Sequence, residues 1–135
     1  MHYLWDWDEL EQHWNGNDFG AVHDWLNQRW AMLVKDRVGG DKDPDARFLQ
    51  GLAFAALALH FTQNSNQESA CIFIDDALMI LPRYAPSHLG IRVEPILETL
   101  HTLHPVISLL APDDDCPFQP FVYNKLIIDR AAIHA

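Results

Sequence analysis

The sequence predicts an all-α domain, a compact bundle of about five helices around one apolar helix at residues 45–62. The stretch from Arg47 to Phe61 is apolar on nearly every side, with only Gln50 and His60 as interior polar residues. A helix that is hydrophobic all round belongs in the middle of a bundle. The flanking segments repeat apolar residues at helical spacing. With 135 residues, 49% of them hydrophobic, the chain is long enough to build one domain with a core.

Two helices are predicted before the central one. Asp6 and Glu9 have the spacing of a capping box that opens a short helix, and Asn15-Gly16 ends it. Asn17 is expected to cap a second helix that runs to about Val34. Its inward face follows helical spacing and consists of Phe19, Val22, His23, Leu26, Trp30 and Leu33.

The central helix and the two helices after it also have capping residues or prolines that mark where they begin or end. Asp43 suits the N-cap of the central helix, with Pro44 at the first helical position. Ser65 and Glu68 form a capping box for a helix to about Leu81. A last helix is expected from Val93 to Leu103, before Pro105, with Pro95 in its first turn. Val106–Leu110 could be helix or strand, and Phe121–Ile128 could be a strand, a short helix or an arm on a partner.

The bundle is therefore expected to span residues 1–112, and residues 113–135 form a tail or arm that packs on the domain or on a partner. The tail is rich in apolar residues, which are seldom left in water. We favour docking on another chain, because the acidic loop at 113–115 and two prolines separate the tail from the bundle. Truncation after Pro112 would then leave a folded domain that no longer associates. The residues on which this prediction rests are the acidic loop, the two prolines and the apolar residues of the tail: Asp113, Asp114, Asp115, Pro117, Phe118, Pro120, Phe121, Val122, Tyr123, Leu126, Ile127 and Ile128.

Composition excludes several classes of function. The formal net charge is −10, from 19 acidic and 9 basic residues, which argues against binding nucleic acid or anionic membranes. The central apolar run is too short and too polar to span a membrane, and we expect no signal peptide, because no basic segment precedes an apolar run at the start. Cys71 and Cys116 do not make a disulfide framework. We therefore expect a cytoplasmic protein without a cofactor, whose partner is a protein or a second copy of itself.

The second helix carries the polar residues of greatest interest. His23 and Asn27 are four residues apart, so they share one helix face, and that face should point to the core. Antiparallel pairing with the central helix would bring Gln50 near Asn27 and His60 near His23. The predicted polar cluster consists of His23, Asp24, Asn27, Trp30, Gln50 and His60. His88 is expected to lie in solvent, away from this cluster.

Two interpretations of the cluster remain open. The first, which we favour, is a buried hydrogen-bond network that fixes helix register, since buried polar groups are generally paired. The domain would then be non-enzymatic and act in protein interaction or self-association. The second is a metal-dependent or small-ligand enzyme that uses the cluster around His23. No Ser or Cys has a predicted His neighbour that would activate it. A pocket that opens to solvent at His23 would favour the second interpretation.

The same region resembles the domain of unknown function 309 family, small helical proteins with no established activity. The family pattern is an Ala-His-Glu motif, a second acidic residue and a Trp on one helix, then a helix that starts Phe-(Leu/Phe)-Gln-Gly-Leu. Ala21 to Trp30 and Phe48 to Leu52 carry the resemblance, which extends from about Asn15 to Leu103. Here Val22 separates Ala21 from His23, Asp24 replaces the Glu, and Asn27 replaces the second acidic residue. The site therefore lacks a carboxylate that could serve as a charged metal ligand, which argues against a metal site.

Overall fold

The computed structural model describes residues 6–111, 114 and 123–130. These residues are mostly α-helical, with one small hairpin, so the all-α class is confirmed. Two 3-10 helices lie at Gly40–Lys42 and Leu81–Tyr84, and the hairpin pairs β1 (Ser87–His88) with β2 (Ile91–Arg92). The five helices are α1 (Asp8–Asn15), α2 (Phe19–Asp36), α3 (Pro44–Gln63), α4 (Gln67–Ile80) and α5 (Glu94–Ser108).

The central position of α3 is confirmed, since α3 packs against both α2 and α4 while α1 packs on α2 and α5 on α4. The helix begins as predicted at Asp43, whose carboxylate accepts the backbone N–H groups of Asp45 and Ala46 at 3.0 and 3.1 Å. Gly51 is needed for the close approach of the following elements. A Cβ there would lie 2.8 Å from side-chain atoms of both Ile80 and Leu81.

One side of α3 is less enclosed than the sequence suggested. Most of its apolar residues are fully buried, including Phe48, Leu52 and Leu59. A single stripe at helical spacing remains partly exposed. We call this set the α3 stripe; it consists of Arg47, Gln50, Phe54, Leu57 and Phe61. The described part of the chain thus covers α3 on all sides except this one.

Three predicted helix starts need correction. Asn17 and Ser65 adopt positive φ angles of 61° and 55°, a conformation in which each turns the chain before a helix instead of capping it. The next residue is the cap in both cases: Asp18 accepts the N–H of Ala21, and Asn66 accepts the N–H of Ser69. At α1, Asp6 accepts the N–H of Asp8, and the Glu9 carboxylate accepts the Trp25 indole N–H at 3.1 Å instead of reaching back to Asp6.

The region after α4 also differs from the prediction. α5 does not stop before Pro105 but continues to Ser108 with the proline inside it. Proline removes one bond to the carbonyl four residues earlier, that of His101, and His101 is an exposed residue on the outer side of the helix. The hairpin between α4 and α5 was not predicted, because each strand has only two residues and no alternating pattern.

The described part of the tail packs on its own chain, in contrast to the intermolecular docking that the sequence favoured. Tyr123 and Leu126 are buried, at 7% and 3% exposure. The N–H of Leu126 donates to Asn15 Oδ1 at 2.8 Å, and the N–H of Arg92 donates to the carbonyl of Ile127 at 2.9 Å. Ile128 also bridges to Ile91. The other tail signals, except Asp114, lie outside the described residues.

Within the described ranges, no helix combines the length and the apolar character that crossing a membrane requires.

Candidate functional site

Four of the six predicted cluster residues line one pocket between α2 and α3. His23, Asn27 and Trp30 come from successive turns of α2, and Gln50 comes from α3. Residues four or three apart share a helix face, which is why these side chains reach the same seam. The pocket has a volume of about 110 Å³, and we call it the His23 pocket. Its remaining walls are apolar and consist of Ala53, Phe54 and Leu57.

The pocket is open to solvent, so these residues do not form the buried network that the sequence favoured. The His23 side chain is 31% exposed, and its Nδ1 lies 3.5 Å from the Asp24 carboxylate. Asn27 is exposed. Among the described residues, no hydrogen bond joins His23, Asn27 and Gln50 to one another. The difference arises because the α2 face that carries them meets the open side of α3 instead of its buried side.

Two polar side chains of the pocket, those of Trp30 and Gln50, have donor groups without an acceptor among the described residues. Trp30 Nε1 is buried without a hydrogen-bond partner in the described part of the chain. Such a group costs about 1–3 kcal/mol. Gln50 Oε1 already accepts from the Arg47 guanidinium at 2.8 Å, which leaves the Gln50 amide N–H groups available. The Gln50 amide can therefore donate to an occupant of the pocket, whereas the buried Trp30 Nε1 has no accessible surface through which to do so.

Two predicted cluster residues lie outside the pocket. Asp24 points into solvent, with its side chain 80% exposed. His60 lies about one turn of α2 away, next to Gly20, where a Cβ would lie 3.6 Å from His60 Cε1. The ring packs edge-on against Phe61, and its Nε2 is 3.4 Å from the Asn64 side-chain nitrogen. The sequence predicted that His60 would lie beside His23, but it lies beside Gly20, about one helical turn away along α2.

A second depression adjoins the His23 pocket across α3 and was not expected from the sequence. It has a volume of about 230 Å³, and we call it the Met79 groove. Gln50 and Phe54 belong to both, so the two depressions are continuous over the α3 stripe. Met79 is 77% exposed. The groove is lined by Arg47, Gln50, Phe54, Asp76, Met79 and Ile80.

Aromatic rings extend the same surface along α3. Phe73 of α4 stacks on Phe54 with ring centroids 5.9 Å apart, and on Phe61 with centroids 5.6 Å apart. All three side chains are partly exposed. We call the continuous surface formed by Trp30, the α3 stripe, Phe73 and Met79 the docking face. Its apolar residues come from three helices, so no single helical pattern in the sequence reveals it.

A separate ionic cluster lies at the N-terminus of α3. His88 Nε2 is 2.9 Å from Asp45 Oδ1, and Arg37 contacts Asp45 and Asp43 at 3.1 and 3.5 Å. The expectation that His88 is solvated is therefore wrong. Tyr84 donates its hydroxyl to the carbonyl of Pro44 at 2.8 Å, and burial raises the pKa of that hydroxyl. These bonds tie the hairpin region to the start of α3, a structural role.

In the described part of the chain, the His23 pocket lacks two arrangements that support catalysis. None of its lining residues is a Ser, Thr or Cys that His23 could activate as a nucleophile. Across the described residues, no three His, Cys, Asp or Glu side chains come together as a set of metal ligands. The donors and apolar walls can hold a small group in place.

Comparison with known proteins gives no further guide: no family model, no curated protein and no solved structure matches this sequence.

Proposed function

We propose that this protein is a non-enzymatic helical interaction domain that self-associates through the docking face. The observation that carries the proposal is the α3 stripe. A helix that is apolar on nearly every side is the kind that a fold encloses completely, yet Phe54, Leu57 and Phe61 remain partly exposed along one line. Continuous apolar patches of this kind commonly mark contact surfaces.

Charge bears on which face two copies would use if they associate. Two chains that each carry a formal charge of −10 repel one another, so contact is least costly where acidic residues are few. Among the described acidic residues, only Asp76 lines either the His23 pocket or the Met79 groove. Arg47 and Asp76 form no ion pair within the described residues, so both are available to a partner.

Light scattering over a concentration series tests the proposal. We expect the full-length protein to reach twice the mass of its 15.5 kDa chain. Leu57→Asp should remain folded, because Leu57 is only partly buried, but should stay monomeric, because it places a charge in the centre of the face. Leu109→Asp is the matched control: Leu109 is 86% exposed and lines neither depression. A wild-type protein that stays monomeric up to about millimolar concentration would contradict the proposal.

The His23 pocket is open to solvent, which is the observation that favours the alternative interpretation of the cluster, a metal-dependent or small-ligand enzyme, and small-ligand binding is therefore the second candidate function. Its free donors and apolar walls would suit a compact molecule that carries a carbonyl or carboxylate group. A thermal-shift screen of small carboxylates and amides tests this candidate. Binding should raise the melting temperature of wild type and have no such effect on Ala53→Trp, which fills the pocket. Absence of any shift in wild type would count against it.

The family assignment also stays a proposal. Two motifs carry the resemblance to the domain of unknown function 309 family. The first contains His23 and Trp30 on one helix, and the second contains Gln50 on the next helix. That all three line one pocket supports a shared site. A cytoplasmic location without nucleic-acid partners remains our expectation, supported by the acidic composition and the lack of a disulfide framework.

A further inference from the structure

We propose that a second pocket, formed where the tail meets the turn between α1 and α2, binds a short-chain carboxylate. Its walls come from four residues between 14 and 19 and from residues 123–125 of the tail. We call it the tail pocket; it has a volume of about 90 Å³ and shares no lining residue with the His23 pocket. The site takes no part in the self-association proposed for the docking face, so it stands or falls independently of it.

The apolar walls of the tail pocket are aromatic and fixed in place. Trp14, Phe19 and Tyr123 all line it and are buried, at 3%, 1% and 7% exposure. The Trp14 and Phe19 rings meet edge to face with centroids 5.5 Å apart, a geometry that stabilises aromatic pairs. An aliphatic group against these rings would be removed from water. Because a cavity of roughly 150 Å³ holds benzene, the smaller tail pocket suits an aliphatic group of about two or three carbons.

Two asparagines of the pocket have hydrogen-bond donors to offer an occupant. The backbone N–H of Leu126 donates to Asn15 Oδ1 at 2.8 Å, and this bond fixes which end of the amide is the NH₂ group. Among the described residues, neither that NH₂ group nor the Asn17 side chain has a hydrogen-bond partner. The backbone carbonyl of Asn17 accepts from the Gln63 side chain at 2.6 Å, which holds the turn in place. The turn therefore presents side-chain N–H groups beside the aromatic walls.

Lys125 gives the tail pocket a positive charge that no acidic residue of its lining neutralises. The described residues that line the pocket include no Asp or Glu, and Lys125 forms no ion pair within the described part of the chain. Arg37 and Arg130, by contrast, each contact two carboxylates. A carboxylate is an acceptor only, and its two oxygens can bond an ammonium and amide N–H groups together.

The net charge of the chain limits the affinity of this site. A formal charge of −10 repels any anion at long range, so binding depends on the local contacts with Asn15, Asn17 and Lys125. We therefore expect a Kd of about 1–10 mM for a small carboxylate. Propionate is a suitable probe, because its carboxylate matches the donors and its two remaining carbons match the aromatic walls.

Titration of the isotope-labelled full-length protein with sodium propionate, followed by NMR, tests the site. The side-chain amide signals of Asn15 and Asn17 and the indole N–H signal of Trp14 should shift together and saturate. Propionamide, which has the same shape without the charge, should bind at least about threefold more weakly, because it cannot pair with the Lys125 ammonium. Sodium chloride at the same ionic strength should not produce a saturating shift.

Three substitutions locate the binding groups. Asn15→Asp keeps an oxygen for the N–H of Leu126 but replaces the NH₂ donor by a negative charge, so it should abolish binding and leave the fold intact. Lys125→Met should raise the Kd about threefold to tenfold, whereas Lys125→Arg should stay within about twofold. Lys35→Met is the matched control, since Lys35 is exposed and lies outside the pocket; it should leave the Kd within about twofold. The melting temperature of each variant verifies that it is folded.

Several results would overturn the proposal. One is the absence of saturating shifts at Trp14, Asn15 and Asn17; shifts at Asn27 and Trp30 instead would assign the carboxylate to the His23 pocket. Binding that survives Asn15→Asp would also exclude the tail pocket. Propionamide that binds as tightly as propionate would exclude an acid as the ligand. The oligomeric state of the protein affects none of these results, so they can be separated from the test of self-association.

Discussion

The His23 side chain lies at the rim of its pocket, and its surroundings determine what its loss would cost. Among the described residues its one charged contact is Asp24, whose side chain is 80% exposed. Exposed pairs of this kind contribute little to stability. Had His23 been part of a buried network, its removal would have stranded its partners at a cost of about 1–3 kcal/mol. Because the His23 side chain is 31% exposed and that of Asp24 is 80% exposed, the small stability contribution of an exposed pair applies here.

We therefore predict that His23→Ala changes the free energy of unfolding by no more than about 0.5 kcal/mol, as is usual for surface substitutions. Urea denaturation followed by circular dichroism measures this change. Asn27→Ala, at an exposed neighbouring position, should behave in the same way. A loss above about 1 kcal/mol for His23→Ala alone would mean that the side chain has a buried partner.

Two glycines in helices provide opposite predictions at the residue scale. A Cβ at Gly51 would lie 2.8 Å from Ile80 Cγ2 and Leu81 Cδ2, so Gly51→Ala should overpack the seam and cost about 1–3 kcal/mol. A Cβ at Gly20 would meet His60 at 3.6 Å, an ordinary contact. Gly20→Ala should stabilise the protein by about 0.5–1 kcal/mol, because alanine loses less conformational entropy on folding. Thermal melts of both variants check the pair, and equal shifts would contradict the α3–α4 packing.

At the scale of the element, α3 organises the molecule and also presents its open side. Its start was predictable because Asp43 and Pro44 are local signals that need no tertiary context. Its central position followed from apolar residues on every side. Which side remains open did not follow, because that depends on where α1, α5 and the tail pack. The sequence therefore predicted the helix and its ends but not the docking face.

The other elements show the same limit. The caps of α2 and α4 were each predicted one residue early, since Asn and Ser also favour the turn that precedes a cap. The continuation of α5 through Pro105 depends on which side of the helix loses the bond, which no pattern reports. Of the predicted cluster, His23, Asn27, Trp30 and Gln50 meet because helical spacing fixes their faces. His60 does not, because the register between two helices joined by a long loop is set by packing.

Substitutions on two sides of α3 should separate folding from association. Ala56 is fully buried, and Ala56→Asp should prevent folding because a lone buried carboxylate cannot be solvated. Leu57→Asp, one residue along on the partly exposed side, should fold with near-normal helicity. Circular dichroism of the two variants makes the comparison. If Ala56→Asp melted like wild type, α3 would not be the centre of the bundle.

At the scale of the whole molecule, the described tail residues complete the domain. Residues 123–130 connect α1 to the hairpin: the N–H of Leu126 donates to Asn15 at the end of α1, the carbonyl of Ile127 accepts from Arg92 of β2, and Arg130 pairs with Asp8 at 2.5 Å and Glu11 at 3.0 Å. The sequence pointed to apolar residues that need cover. It could not show which surface covers them, because a long-range pairing across the chain leaves no local signal.

Truncation after Pro112 should therefore destabilise the domain instead of leaving it intact. The deletion removes Tyr123 and Leu126 from buried positions, and burial of each such side chain contributes about 1.5–3 kcal/mol. Loss of both is a large part of the 5–15 kcal/mol that holds a typical domain together. The truncated protein should melt well below wild type or fail to fold, as measured by circular dichroism.

Point substitutions show whether burial is the cause. Leu126→Ala should cost about 2–5 kcal/mol in the full-length chain, the usual range for a buried leucine, whereas Ile127→Ala should cost far less because Ile127 is 51% exposed. Leu126→Ala should still dimerise where it is folded, since Leu126 lines neither the His23 pocket nor the Met79 groove. A truncated protein that melts like wild type but has lost its dimer would mean that the tail itself is the interface.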